Sequence, residues 1–278
     1  MIEIVASIVS TVGAGWILNY LIRVRGPVRV KRITSASDPL VSQTLELYQN
    51  LFPEDDGTNY SVDECVEFMD ECPVAEHHIS ATNIVLVATF KGSVVGFIFA
   101  HLYVERRKAI ISYFAIDKSV KEARIDGIAA KKLMTALKTA LLKRNNCDVM
   151  FYDVERISPS STVEDRKRKL GRAGLFRVHA KAMGLEAREF QFQYQCPRVS
   201  MSEFTHEQPF ALFCVGVSAP LPREVTKQTM MDYLRFIYLD CYGDIYPKDD
   251  LRFASHQEHL QKMIKHYEQT LPDKVLAM

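Results

Sequence analysis

Arg124-Ile125-Asp126-Gly127-Ile128-Ala129 stands between an apolar strand and a long amphipathic helix, and that placement decides the fold. Upstream, residues 109–116 (AIISYFAI) are β-branched and aromatic, as a buried strand requires. Downstream, Ala130, Leu133, Met134, Leu137 and Leu141 recur at helical spacing on one face, with Lys131, Lys132, Lys138 and Lys143 off it. A small-residue turn that opens a helix leaves several backbone N–H groups unpaired at the positive end of the helix dipole. Gly127 and Ala129 carry no bulk to block an approaching ligand, so the turn can hold a pyrophosphate. The plainer alternative is an ordinary turn ahead of a surface helix, and the rest of the chain weighs between the two.

At 278 residues the chain has ample length for a proper core, as one large or two small domains. Its 35 basic and 34 acidic residues nearly cancel, so no overall charge points to nucleic acid as a partner. The basic run Arg166-Lys167-Arg168-Lys169 has no interleaved aromatics and reads as a solvated helix end. Six cysteines, none in a C-x-x-C pair, fit reduced thiols of a cytoplasmic domain. His256 and His259 lie three apart without the spacing of zinc peptidases or a third ligand, so no metal is expected.

The other outstanding feature is the N-terminus. Residues 2–22 carry one charge, Glu3, and are followed by Arg23, Arg25, Arg29, Lys31 and Arg32. The length is close to the roughly 20 residues that cross a bilayer, and the trailing basic cluster would put the rest of the chain on the cytoplasmic side. Glu3, Ser7, Ser10, Thr11 and Ala14 share one helical stripe, which fits instead a helix docked on the domain or lying on a membrane surface. Residues 1–25 are thus read as an apolar N-terminal helix, with membrane tethering and docking both open.

Beyond it the elements follow in order. A strand over 28–33 leads to a helix from Asp38-Pro39 to about Leu51, with Leu40, Leu47 and Leu51 on its core face. Ser61-Val62-Asp63-Glu64 predicts a capping box opening a short helix to about Cys72. Strands at 84–90 and 94–104, turned at Lys91-Gly92-Ser93, predict a hairpin. The strand at 109–116, the helix at 126–144 and a strand at 148–154 follow. A second long helix at 166–183 ends at Gly184; strands at 186–195 and 210–217 complete the run.

The motif and this order, β-α-α-β-β-β-α-β-α-β-β, resemble the GCN5-related N-acetyltransferases, whose signature is Arg/Gln-x-x-Gly-x-Gly/Ala at this junction. The resemblance covers residues 28–218. Gly184 closes the second long helix as a Gly does in many members of that family, and the acidic strand end with its polar loop at 155–165 and Tyr194-Gln195-Cys196-Pro197 match a bacterial subset. It implies an α+β (or α/β) acyltransferase fold, a mixed central sheet of about seven strands flanked by helices. Residues 219–278 are then a C-terminal helical extension packed on the core. Met230, Leu234, Ile237, Tyr238 and Cys241 make one apolar face and Leu260, Met263, Ile264 and Tyr267 another.

What the resemblance implies for the site is acetyl-CoA as co-substrate. Its pyrophosphate would lie on Arg124, Ile125, Asp126, Gly127, Ile128 and Ala129, and its arm along Ala115, Ile116 and Asp117, with the main-chain N–H near Ile116 as oxyanion donor. The strands at 109–116 and 148–154 would splay into a V around the thioester. Glu155, just past the second of them, is the first candidate for the base, with Asp153 on the same pleat face. Ala180 replaces the tyrosine that many relatives use as acid, so His179, Tyr194 and Tyr152 are the remaining candidates, alongside water. The connection from Ile116 to Arg124 is longer than the family's.

The expected function is acetyl transfer to an amine, of a small molecule or a protein, by direct attack on the thioester. Two other readings stand beside it. One is a coenzyme-A-binding module of this fold with a regulatory role and little catalysis, motivated by Ala180. The other is a membrane-tethered interaction protein, motivated by residues 2–22. A homodimer through the C-terminal extension is an open expectation.

Overall fold

Two strongly apolar segments meet at Lys91-Gly92, where both residues hold a positive φ (51° and 88°), the geometry that turns a tight hairpin. The segments are β2 (Ala81–Phe90) and β3 (Ser93–Tyr103), and nearly every side chain of β3 is buried, so it takes the middle of the sheet. This computed structural model describes residues 28–52, 59–70, 81–117, 125–142, 147–156, 162–182, 184–197, 209–243, 246 and 248–278. The apolar stretch 2–22 lies outside the described residues; among them, no helix is long and apolar enough to cross a membrane.

Around the hairpin eight of the ten described strands form one sheet. β1 (Arg29–Ile33) borders β2, and β4 (Lys108–Ile116) borders β3. Next come β5 (Val149–Glu155) and β8 (Pro209–Gly216), with β6 (Ala187–Glu189) and β7 (Tyr194–Gln195) both on β8. Every pairing is antiparallel except β4 with β5, which is parallel, so the sheet is mixed. This mixed sheet flanked by helices is the architecture expected from the sequence.

On one face lie α3 (Ile125–Leu142) and α4 (Val163–Ala182). Leu133, Met134 and Leu137 of α3 pack on Ile98, Ile111 and Met150. Arg177 of α4 sits over the Phe213 ring, 5.2 Å from its centroid. Gly184 ends α4 with φ 70°, its N–H bonding Lys181 C=O and the Leu185 N–H bonding Ala180 C=O, a Schellman cap. On the other face α1 (Val41–Leu51) and α2 (Val62–Glu67) cover Phe97, Phe99 and Tyr113. The rest of that face is covered by α5 (Lys227–Arg235), the π-helical turn Phe236–Cys241 that continues it, and α6 (Phe253–Thr270). Met230, Leu234, Ile237, Leu260 and Tyr267 of these elements join Ile110, Phe151 and Leu212 of the sheet in one core.

Four expectations need correction. The core face of α1 is Val41, Thr44 and Tyr48, with Leu40 and Leu47 half-buried and Leu51 exposed. The helix is turned about one residue, roughly 100°, because Tyr48 is drawn between Phe52, Phe99 and Tyr113. Helix α2 ends at Glu67, short of Cys72, and the side chain of Glu64 lies outside the described residues. The single strand expected over 186–195 is two short ones. Phe190 N–H still bonds Leu212 C=O of β8, while the outer edge of this segment pairs with the C-terminus: Glu189 exchanges both main-chain bonds with Met278, and Gln191 N–H bonds Leu276 C=O. Finally, the C-terminal segment is more than helical, because β9 (Glu224–Thr226) and β10 (Lys274–Leu276) form a small antiparallel sheet that buries Val225 and Val275.

Candidate active site

The site begins where β4 and β5 part. They pair only at Lys108–Val149, Ala109–Met150 and Ile110–Phe151, although both strands run on to Ile116 and Glu155. Ser112 is the extra residue of a bulge in β4, since Ile111 faces Ala100 and Tyr113 faces Phe99. A bulge increases the local twist and ends regular pairing, so the strands diverge just beyond it. The closed end is clamped instead. The Arg107 guanidinium makes two 2.8 Å bonds to Asp148, and Ser218 Oγ adds a third to that carboxylate. The Arg107 bonds foremost, with Ser218 next, hold the Asp148 carboxyl down at about 2.

Main-chain groups line the open side of β4. Asp117 N–H bonds Val95 C=O on β3, so Asp117 and, by alternation, Ala115 turn their amides inward to the sheet. Ile116 lies between them and points its N–H and C=O into the gap. Of Ala115, Ile116 and Asp117, it is Ile116 that can meet a ligand there through its backbone. Gly96 opposite it has no room for a side chain: a Cβ would lie 2.6 Å from Ile116 Cδ1 and 2.8 Å from Ala115 O.

The motif's helix starts at Ile125, and Arg124 lies outside the described residues. Asp126 and Gly127 are exposed in the first turn, and nothing comes within 4 Å of where a Gly127 Cβ would stand. No packing demand explains this glycine, while an approach from solvent is open. Ile125 and Ala129 are buried against the sheet and Ile128 is half-buried, so the small size of Ala129 serves helix–sheet packing rather than a ligand. A groove of about 460 Å³ runs beside α3 past Val30, Ile128, Lys131 and Lys132. It lies on the α3 side of the sheet, opposite the carboxylates described next.

Asp153 and Glu155 share a pleat face of β5, the face away from α3. Both are half-buried and both stand past the last β4–β5 pair. Tyr194 O–H donates to Asp153 Oδ2 at 3.3 Å. Burial pushes the Asp153 carboxyl above the ordinary carboxylate range, against hydrogen bonds from Cys196 and Tyr194 that favour its ionised form. Burial likewise pushes the Tyr194 phenol and Cys196 thiol well up, so both keep their protons. The Cys196 Sγ lies 3.3 Å from the Tyr242 hydroxyl, itself kept protonated by burial.

The structure thus brings Tyr194 to Asp153, with Glu155 at the strand end facing Phe210 of β8. His179 belongs to α4, on the opposite face of the sheet, and its side chain lies outside the described residues. Ala180 is fully buried and Tyr152 stacks on Phe213 at 5.0 Å on that same far face. Sequence reasoning missed Tyr60 and Tyr242. Neither sits in a motif, and each reaches the site from a segment distant in the chain. His256 is a core histidine, its Nε2 2.7 Å from Tyr242 O, and the described residues hold no metal-binding group of His, Cys, Asp and Glu.

No protein-family model and no curated protein matches this sequence. Solved structures do. One is the diaminobutyrate acetyltransferase EctA from Paenibacillus lautus, in complex with L-2,4-diaminobutyric acid and coenzyme A. It is 16% identical over 70% of this chain and 99% of its own, with a TM-score of 0.44. Another is the aminoglycoside 6'-N-acetyltransferase from Enterococcus faecium, 12% identical over 70% of this chain and 99% of its own, with a TM-score of 0.45. Likeness at this level stands as an observation, and the chemistry rests on the geometry above.

Proposed function

We propose that the chain is an acetyl-CoA-dependent N-acetyltransferase of the GCN5-related type, moving an acetyl group to an amine by direct attack on the thioester. The observation that carries this reading is the open wedge between β4 and β5, with the Ile116 amide aimed into it and Asp153 on its far lip. The residues present fit the co-substrate. The exposed first turn of α3 around Gly127 suits a pyrophosphate, and the edge of β4 at Ile116, past its last pair with β5, suits an extended amide-bearing arm. Acetyl-CoA supplies the acetyl group and leaves as the free thiol.

The chain's own groups do the rest. Asp153, raised by burial toward working pH, takes the proton the amine sheds. An acceptor that enters as an ammonium sheds two protons on becoming an amide: one restores the departing thiolate to the thiol and the other returns to solvent, and Asp153 can carry each in turn. Ile116 N–H faces the charge that develops on the carbonyl oxygen. Tyr194 is a positioning residue: its hydroxyl fixes the Asp153 carboxylate and tempers its basicity. Glu155 stands at the mouth as a second carboxylate.

Thiol release from acetyl-CoA with a panel of amines tests this reading. Amine-dependent release is the expected outcome, and tight acetyl-CoA binding without release from any amine would favour a coenzyme-A-binding regulatory module. The buried Ala180, with no hydroxyl where many relatives carry a tyrosine, is the observation on that side.

A further inference from the structure

Opposite α3, four half-buried polar side chains from four separate segments converge: Tyr60, Asp153, Cys196 and Tyr242. Tyr60 is tied to β4, its main-chain N–H donating to Tyr113 Oη at 2.9 Å and its ring 5.9 Å from the Tyr113 ring. Tyr113 and Asp153 stand on the same face of the sheet, on either side of the gap that opens past Ile110 and Phe151. Tyr242 reaches the same place from the C-terminal segment, bonded to Cys196, and a charge on Asp153 or Tyr60 would be felt at its hydroxyl.

We propose, resting on the acetyl-transfer reading, that this face binds the acceptor, and that the acceptor is a primary monoamine with an aromatic or apolar body. Tyr242 of the C-terminal segment forms one wall of its site. Burial keeps the Tyr194 and Tyr242 phenols protonated, so they bring ring faces and hydroxyls without negative charge. Among the described residues the formal charge on this face comes from Asp153, with Glu155 at the rim. One ammonium beside one carboxylate and flanked by tyrosine rings is well served, because a ring face attracts a cation and buries an apolar neighbour. A polyamine or amino sugar carries several ammonium groups, and each one desolvated without its own carboxylate is costly.

The wall is built rigidly. Tyr238 O–H donates to Gln195 C=O, while Gln195 N–H donates to Tyr267 Oη at 3.0 Å, so α6 and the π turn together fix β7, which carries Tyr194, and Cys196 just after it. The C-terminal segment is therefore part of the acceptor site rather than an appendage to it.

The experiment uses the full chain with acetyl-CoA, comparing 2-phenylethylamine with spermidine and kanamycin by thiol release. 2-Phenylethylamine should show a kcat/KM at least roughly tenfold above both, the scale of one cation–ring contact. Tyr242→Ala should raise its KM roughly tenfold with acetyl-CoA affinity unchanged, and Tyr242→Phe, which keeps the ring, should restore most of that loss. Faster turnover of spermidine or kanamycin would overturn this inference and leave acetyl transfer standing. Equal losses in the Phe and Ala variants would overturn the role of the ring. No release with any amine would overturn the transfer reading and this one together.

Discussion

Tyr194 donates its hydroxyl hydrogen to Asp153 Oδ2 across 3.3 Å, joining β7 to the end of β5 that lies past its last pair with β4. The bond favours the ionised carboxylate, while burial favours the neutral acid and wins. Activity should therefore fall on the acid side through a group titrating above the usual carboxylate range. Tyr194→Phe removes a bond to the charged form, so the Asp153 carboxyl should rise further and the acid limb of the pH–rate profile should move to higher pH. A merely structural tyrosine would lower the rate without moving that limb. Asp153→Asn should cost roughly 100-fold or more. Glu155→Gln separates the two carboxylates. It should cost far less than Asp153→Asn, and an equal or larger loss would transfer the role of base to Glu155.

Gly127 gives the cleanest test of the co-substrate. A side chain there meets nothing of the protein within 4 Å, so Gly127→Glu should leave the melting temperature nearly unchanged. Its carboxylate would stand where a pyrophosphate must lie, at the positive end of α3. Calorimetry should show acetyl-CoA binding abolished. Equal affinity for variant and wild type would remove the pyrophosphate from this turn.

Much of this fold was legible because its central segments announce themselves. The run from Ile84 to Phe90 and that from Val94 to Tyr103 are buried on both faces, so their apolar continuity and the Lys91-Gly92 turn read directly as a hairpin. The helical period of α3 read equally well, with Leu133, Met134 and Leu137 where expected. The break between β6 and β7 was not legible, nor was the pairing of the chain's last residues with Glu189 and Gln191 on the outer edge there. Alternation within 186–195 holds no trace of that distant partner. The face of α1 was misjudged for a similar reason: leucine spacing cannot reveal that the sheet offers an aromatic socket for Tyr48.

The candidate site divides along the same line. Asp153, Glu155 and Tyr194 lie on or beside strands whose order is local information, and reasoning from pleat faces reached them. Ranking Asp153 against Glu155 needed the Tyr194 and Cys196 contacts to Asp153, which β7 and the residue after it supply. Tyr60 and Tyr242 arrive through tertiary packing alone. Arg124 and the apolar stretch 2–22 lie outside the described residues, so the tether and docking readings of that stretch keep their original footing.

Gly96 and Ile116 make a second lever on the site, from behind. Gly96→Val would put a branched side chain where a single Cβ already meets Ala115 O at 2.8 Å, so β4 must shift toward the gap. Overpacking of this kind costs about 1–3 kcal/mol. Because the displaced residue carries the amide facing the reaction, kcat should fall by more than the loss of stability explains. Unchanged kcat in the folded variant would show that the Ile116 amide takes no part.

His101 sets the acid tolerance of the fold. It is buried between β2 and the Phe68 ring, its Nδ1 2.8 Å from Asn83 Oδ1, and Asn83 in turn donates to Asp70 C=O. Arg32 bonds the Asn83 main-chain carbonyl, so a cation already stands nearby and a second charge finds no carboxylate among these contacts. Burial pushes the imidazole down to about 4 from an ordinary value of 6.5. Between those two values the unfolded chain binds a proton that the folded chain refuses, so stability falls as pH drops through the window and levels off below it. The full difference is worth about 3 kcal/mol. His256, lowered in the same direction by burial, adds to the slope. Urea midpoints measured from pH 7 to pH 4.5 should decline steadily. His101→Gln keeps a donor for Asn83 and cannot titrate, so its midpoints should start lower at pH 7 and decline less. A variant whose slope matches the wild type would place the acid sensitivity elsewhere.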